Sequence, residues 1–165
     1  SFTKRTNSRK RKFFLFSIVS KDDARIELVG EMDELNALLG LCKVKTGLQT
    51  VFDDIQLRLM DFMAVVSDNR SEPDAERIAR LADAITHMEQ VIDDFSAGYR
   101  FHFVLPGTDE TDAVLHLTRA KVRTCERRLI ALQRFHTVPE VLTKYINRLS
   151  DFMFCMIEQR VNVKR

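Results

Sequence analysis

Apolar residues recur every three or four positions over most of this chain, which is the spacing of amphipathic helices. Short breaks that contain Gly or Pro separate five such stretches. They span residues 31–46, 51–66, 74–95, 109–135 and 139–161. We therefore predict an all-α fold in which five helices pack together as a bundle.

Two shorter apolar stretches lack the helical spacing. Residues 13–19 are rich in aromatic and β-branched side chains, which favours a short strand or a buried extended segment before the first helix. Residues 101–107, FHFVLPG, end in Pro-Gly, which indicates an extended connection between the third and fourth helices. Phe103 in this connection is either a core residue or an exposed apolar wall for a flat ligand.

The composition is that of one globular domain. The chain has 165 residues, of which 45% are hydrophobic and 30% are charged, enough for a single core. No apolar run approaches the roughly 20 residues of a membrane-spanning helix, so we expect no membrane association. The three cysteines, Cys42, Cys125 and Cys155, are scattered inside helical patterns. We interpret them as buried thiols of a reducing compartment and expect a cytoplasmic protein.

Positive charge is concentrated at the beginning of the chain. Residues 1–12 contain six Lys or Arg and no acid, so the net charge of +2 leaves −4 on the remaining residues. We divide the chain into a basic arm with an extended segment, residues 1–20, and a helical bundle domain, residues 21–165. Such an arm meets phosphates, nucleic acid or only solvent, and the negative charge of the domain disfavours nucleic acid.

The fourth predicted helix carries the clearest functional pattern. His116, Arg119, Arg123 and Arg127 lie within roughly one quadrant of the helix, and Glu126 borders it. We call Arg119, Arg123 and Arg127 the arginine stripe. Three arginines beside an apolar face are expensive to pack unless an anionic group meets them.

Two interpretations of the arginine stripe remain open. Arg123 and Arg127 are one turn apart, so their guanidinium groups can clasp a polyphosphate while Glu126 holds Mg²⁺ or neutralises an arginine. Alternatively, Arg119, Arg123 and Glu126 take part in buried ion pairs that include acids of the first helix such as Asp33 and Glu34.

Other kinds of site have no motif in the sequence. The four histidines form no ExxH pair on two helices, and the cysteines show no CxxC spacing. GxSxG, GxxxxGK[ST] and GxGxxG are also missing.

In the fifth helix, Asn147 and Asp151 share one face, and an amide beside guanidinium groups suits recognition of a base or ribose. Electrostatic recognition of an anionic ligand is therefore the chemistry that the sequence favours.

Several segments together resemble the PduO-type ATP:cob(I)alamin adenosyltransferases. Residues 21–41, KDDARIELVGEMDELNALLGL, look like the family's KxDxRVxAYGxVDELNxxxG. FVLPGT, LHLTRAKVRTCERR and YINRLSDFMF are similar to its LPGG, LHxAR with RRAER, and NRLSD motifs. The resemblance implies a ferritin-like five-helix bundle that assembles as a homotrimer with active sites between subunits. It implies transfer of the 5′-deoxyadenosyl group of MgATP to Co(I) of a corrinoid, with release of triphosphate.

The same resemblance implies roles for individual residues. Arg123 would pair with Asp33, Arg127 would contact ATP, and Glu126 would be a candidate ligand of Mg²⁺. Phe103 would crowd out the lower axial ligand of cobalt, which makes Co(II) easier to reduce. It further places Thr3, Lys4, Arg9, Lys10, Lys21, Glu126 and Asn147 at the nucleotide, and His116 with Phe103 at the corrinoid.

The N-terminal arm departs from this family. Its Gly-rich loop, roughly YTxxGDxGxT, corresponds here to SFTKRTNSRKR, with Thr6, Asn7 and Arg9 in the Gly, Asp and Gly slots. Asp112 also stands at a position that is usually small. The basic residues 9–11 either replace amide contacts with charges or mark a lost ATP site. Three functions remain open: an active corrinoid adenosyltransferase, a non-catalytic relative that binds corrinoid or a protein partner without ATP, and a nucleic-acid binder.

Overall fold

Five helices make up most of this computed structural model, which describes residues 10–13, 17–20, 24–68 and 71–163. Residues 10–13, 17–20 and 161–163 are described by their backbone alone. The helices are α1 (Ala24–Thr46), α2 (Gln49–Ser67), α3 (Ala75–Ser96), α4 (Glu110–Leu132) and α5 (Glu140–Val163). The predicted all-α, five-helix architecture is confirmed.

The helices pack in a closed ring in the order α1, α2, α3, α5, α4. α4 therefore lies between α1 and α5. Lys45 meets Glu110 at one end of the α1–α4 pair, and Glu31 meets Arg128 at the other, so these helices are antiparallel. This arrangement gives α4 one flank towards α1 and another towards α5.

The core lies along the centre of the ring. On α1 it contains Leu28, Met32, Leu35 and Leu39, each fully buried and spaced three or four residues apart. All three cysteines are buried free thiols, as predicted. None of the described helices is long and apolar enough to cross a membrane.

A buried carboxylate joins α2 to α3. Asp61 accepts hydrogen bonds of 3.0 and 2.8 Å from Arg80, and Arg58 and Arg77 lie 3.2 and 3.8 Å from its oxygens. The Asp61 side chain is 9% exposed, so it is screened from water but well compensated. These arginines are therefore structural.

Two boundaries differ from the predicted ones by more than two residues. α1 begins at Ala24 rather than residue 31, because Leu28 and Val29 extend its buried face by two turns. α4 ends at Leu132 rather than residue 135. Gly47, with φ of 72°, follows α1 as predicted, since this backbone conformation is costly for other residues.

The segment before α1 forms a hairpin instead of one extended stretch. β1 (Lys10–Phe13) pairs antiparallel with β2 (Ser17–Ser20), with Lys10 opposite Ser20 and Phe13 opposite Ser17. The prediction of a single stretch over residues 13–19 is wrong because a lone strand leaves its backbone groups unpaired, whereas the pairing satisfies them. The predicted nucleotide contacts Thr3, Lys4, Arg9 and Lys21 lie outside the described residues.

Candidate functional site

Arg119, the first residue of the arginine stripe, lies on the flank of α4 that faces α5. Arg119 is half-buried, and its Nε donates a 3.4 Å hydrogen bond to the backbone oxygen of Ser150 on α5. Its guanidinium carbon also lies 5.2 Å from the centre of the Phe154 ring. Burial, and then the like charge of Arg123, lower the pKa of Arg119. Arg119 is thus fixed between the two helices.

Arg123 and Arg127 are exposed. Within the described part of the chain, neither forms an ion pair with a carboxylate. Arg127 Nη2 donates a 3.1 Å hydrogen bond to the hydroxyl of Thr124. The interpretation of buried ion pairs is wrong for Arg123, because its side chain faces solvent. Two guanidinium groups one turn apart are free to meet an anion.

The predicted motif residues of α4 and α5 meet beside this pair. Asn147 Nδ2 donates a 3.1 Å hydrogen bond to Glu126 Oε2, and Asn147 Oδ1 accepts one of 2.7 Å from Arg148 Nη1. Arg148 Nε in turn donates 3.1 Å to Glu89 on α3. A polar chain therefore crosses three helices and fixes the Asn147 amide beside Glu126, the residue before Arg127.

Glu126 is suited to one part of a magnesium site. Among the residues that the structure describes, no three His, Cys, Asp or Glu side chains cluster as a complete metal cage. Mg²⁺ is usually held by one or two carboxylates together with substrate phosphates and water. Glu126, half-buried beside two exposed arginines, supplies one carboxylate of that kind.

The α1 flank of α4 is different because its cations are paired. Lys121 Nζ lies 2.6 Å from both Glu31 and Glu34, and Arg128 lies 3.9 Å from Glu31. The hydrogen bonds raise the pKa of Lys121 and lower that of Glu31. Glu34 thus meets Lys121 and not a stripe arginine. Sequence reasoning missed Lys121. Its position seven residues before Arg128, which places both side chains on one face of the helix, was a usable signal.

Asp33 on α1 and Arg123 on α4 are the two residues that were predicted to pair. Both are exposed, and Arg123 makes no ion pair within the described part of the chain. Their pairing therefore stays a prediction.

The connection between α3 and α4 presents an apolar surface. Phe101, Phe103 and Leu105 are 81%, 83% and 73% exposed, whereas His102 and Val104 between them are half-buried. This alternation is expected of an extended segment with one face on the protein. We call Phe101, Phe103 and Leu105 the apolar strip. Phe103 is thus exposed and not a core residue.

Inward-facing residues attach the strip to the arginine stripe. His102 Nε2 lies 3.4 Å from an oxygen of Glu158, a carboxylate of α5 that is 2% exposed. Tyr99 packs edge-on against Phe154 with ring centres 5.6 Å apart, and Phe154 lies beneath Arg119. Burial and the Glu158 carboxylate raise the pKa of Tyr99. The cationic and apolar surfaces are therefore neighbours on one side of the bundle.

Asp112 holds the other end of the connection. Its Oδ2 accepts hydrogen bonds from the backbone N–H groups of Gly107, at 2.7 Å, and Thr108, at 3.1 Å. Its Oδ1 lies 3.5 Å from Nε2 of His116, which is half-buried. Burial alone would raise the pKa of Asp112, but the two backbone donors and His116 lower it. The predicted contact of His116 with a corrinoid stays a prediction.

A cavity of about 620 Å³ lies elsewhere, between α2, α3 and α5. Its walls are mostly apolar and include Val51, Met88, Tyr145 and Phe152. Of the predicted site residues whose side chains are described, none lines this cavity. The candidate site is therefore an open surface formed by the arginine stripe, Asn147 and the apolar strip.

Comparison with known proteins identifies the family of this chain. The family model for cobalamin adenosyltransferase matches residues 2–159. The chain belongs to that family. It is 35% identical to the corrinoid adenosyltransferase PduO of Salmonella typhimurium over 143 residues. That match covers 84% of this chain and 43% of PduO, so the chain spans less than half of that relative.

Other adenosyltransferases match over more of their length. The corrinoid adenosyltransferase of Bacillus subtilis is 30% identical, with 81% of this chain and 72% of the relative covered. A Phe→Ala variant of the PduO-type enzyme of Lactobacillus reuteri, solved with cobalamin and ATP, superposes with a TM-score of 0.75. It is 26% identical, and the match covers 94% of this chain and 90% of that structure. The adenosyltransferase fold thus extends across the whole bundle.

Proposed function

We propose that this chain is an ATP:corrinoid adenosyltransferase. It would move the 5′-deoxyadenosyl group of MgATP to Co(I) of cobalamin or a precursor and release triphosphate. The observation that carries the proposal is the exposed pair Arg123 and Arg127, which forms no ion pair within the described part of the chain, together with Asn147 at Glu126 and the exposed Phe103. Corrinoid adenosyltransferases of several organisms share the chain's family, which supports the same activity.

The reaction requires charge neutralisation more than proton transfer. Co(I) of the corrinoid substrate donates an electron pair to C5′ of ATP and forms the cobalt–carbon bond. The C5′–O bond breaks, and its electron pair leaves with the triphosphate. Arg123 and Arg127 would bind the triphosphate oxygens, and Glu126 would hold the Mg²⁺ that arrives with the nucleotide. Asn147 would orient the nucleoside, so that C5′ lies in line with the cobalt of the corrinoid.

Phe103 would lie against the lower face of the corrinoid. Its ring is apolar and cannot coordinate cobalt, so it would exclude a lower axial ligand and ease the reduction of Co(II) to Co(I). The exposure of Phe103 leaves its ring accessible to a flat ligand. His116, beside the same connection, would contact the corrinoid edge.

The basic arm, residues 1–20, would complete the ATP site together with the helical domain, residues 21–165. Positive side chains would replace the backbone amides that a Gly-rich loop supplies. Neutralising Arg9, Lys10 and Arg11 together should therefore weaken MgATP binding and leave corrinoid binding intact. The proposed nucleotide contacts of the arm and its junction are Thr3, Lys4, Arg9, Lys10 and Lys21.

A homotrimer with sites between subunits is part of the proposal. Leu41, Val44 and Leu117 are exposed at one end of the antiparallel α1–α4 pair, where a second copy would cover them. Such contact would also allow Asp33 of one copy to meet Arg123 of another, because the five N–H donors of one guanidinium can serve a carboxylate and the triphosphate together. Light scattering after gel filtration should give three times the mass of one chain, and the mass of a single chain would contradict it.

The cytoplasm is the compartment that we propose. Cys42, Cys125 and Cys155 are free thiols, as expected of a reducing environment. Fractionation of cells that express the full protein tests this expectation.

An anaerobic assay tests the proposed activity. Purified protein is mixed with chemically reduced cob(I)alamin and MgATP, and the light-sensitive cobalt–carbon bond is followed by absorbance. We expect adenosylcobalamin to form. Corrinoid binding without turnover would instead support the alternative, a non-catalytic relative that binds corrinoid or a protein partner. Salt-sensitive binding of DNA or RNA without either result would support a nucleic-acid binder.

A further inference from the structure

We propose that Asp112 is a positioning residue that fixes the apolar strip, and Phe103 within it, for contact with the corrinoid. The proposal rests on the proposed adenosyltransferase function. Asp112 lies in the first turn of α4 and is 2% exposed. A carboxylate so far from water needs a compensating set of donors, and the loop supplies them.

The donors come from the loop that follows the strip. Gly107 has φ of 101°, a conformation that other residues adopt only at a cost, and it aims its own N–H and that of Thr108 at one oxygen of Asp112. Hydrogen bonds to a charged acceptor are among the stronger ones in proteins. The C-terminal end of the connection is therefore tied to the rigid start of α4.

The N-terminal end of the connection is tied separately. His102 faces Glu158 on α5, and Tyr99 packs against Phe154. Phe103 follows His102 directly and has its ring in solvent, so little other than these two attachments determines where the ring lies. Removal of the Asp112 attachment should let the ring move while the helices stay in place.

The test measures how cobalt is coordinated. With MgATP and cob(II)alamin, electron paramagnetic resonance reports the fraction of cobalt that has lost its lower ligand. We expect D112A to lower this fraction, and kcat, by about tenfold, while the Km for ATP stays unchanged. D112N keeps an acceptor oxygen for Gly107 and Thr108 and should restore most of the loss.

Two further variants separate positioning from general destabilisation. The carboxylate of Asp109 caps α4 and accepts a 2.7 Å hydrogen bond from the backbone N–H of Asp112. D109A removes this cap but keeps the Asp112 carboxylate. It should lower thermal stability without lowering the fraction of cobalt that lacks its lower ligand. G107A loosens the same contact from the loop side, and no atom lies within 4 Å of the added Cβ, so it tests the proposal even if D112A does not fold.

A double-mutant cycle decides the outcome. If Asp112 acts through Phe103, D112A should cause no further loss in an F103A background. Equal losses in both backgrounds, or a D112A fraction that matches the wild type, would overturn the positioning role while leaving the adenosyltransferase function intact. A wild-type protein that binds MgATP and corrinoid but forms no adenosylcobalamin would overturn both.

Discussion

The two sides of α4 carry similar cations, but the cations are paired with carboxylates on only one of them within the described part of the chain. On the α1 flank, Lys121 lies 2.6 Å from each of two glutamates, and Arg128 lies near one of them. On the side of α4 that carries the arginine stripe, Arg123 and Arg127 are exposed and form no ion pair within the described part of the chain. Arg127 and Arg128 are neighbours in sequence, yet they face different partners. The ion pairs to α1 hold two helices together. The exposed arginines on the other side keep their charge available for a ligand.

The largest expected effect concerns Arg127. R127A should weaken MgATP binding roughly 10- to 100-fold, because it removes charge-assisted hydrogen bonds to the triphosphate. Its thermal stability should hardly change, since the side chain is exposed. R128A is the matched control and should leave ATP affinity unchanged in isothermal titration calorimetry. Equal effects of the two variants would remove the distinction between the flanks.

A smaller effect is expected at Asn147. N147A should weaken MgATP binding about fivefold, because a neutral hydrogen bond contributes about 1 kcal/mol. N147D should weaken it further, since a second carboxylate would face Glu126 across the 3.1 Å contact. The apparent Km for ATP at saturating Mg²⁺ measures both. An N147D variant that binds ATP as well as the wild type would exclude Asn147 from the nucleotide site.

Lys121 should affect stability and not binding. K121A breaks both contacts to α1 and should lower the free energy of unfolding by about 1 kcal/mol, the range of partly exposed ion pairs. Urea denaturation gives this value, and calorimetry should show unchanged ATP affinity. A loss of ATP affinity without a loss of stability would place the nucleotide on the α1 flank and contradict the proposed site.

The pH dependence of stability should show the same pairing at smaller amplitude. The Lys121 hydrogen bond lowers the pKa of Glu31 below its usual value of 4.5. Its contribution is therefore complete above about pH 5.5 and disappears as the pH falls through the lowered pKa. The stability difference between wild type and E31Q should shrink on acidification to about pH 3. A difference that grows on acidification would contradict the ion pair.

Much of the fold was predictable because helical periodicity is a local property. The start of α1 was missed because Glu31, Asp33 and Glu34 resemble the acidic first turn of a helix, whereas they lie in its middle. The arginine stripe and Asn147 were predictable from their spacing and motifs. Their contact through Glu126 joins residues 21 positions apart, and periodicity does not specify such a distance. The role of Asp112 depends on the backbone conformation of Gly107. The sequence allows this conformation but does not specify it.

The location of bound triphosphate tests the account most directly. A crystal structure of the protein with MgATP and corrinoid would show it at atomic detail. We predict that the triphosphate lies within hydrogen-bond distance of Arg123 and Arg127, with Mg²⁺ at Glu126 and the corrinoid against Phe103. A triphosphate bound to Lys121 and Arg128, or away from α4 altogether, would contradict the account.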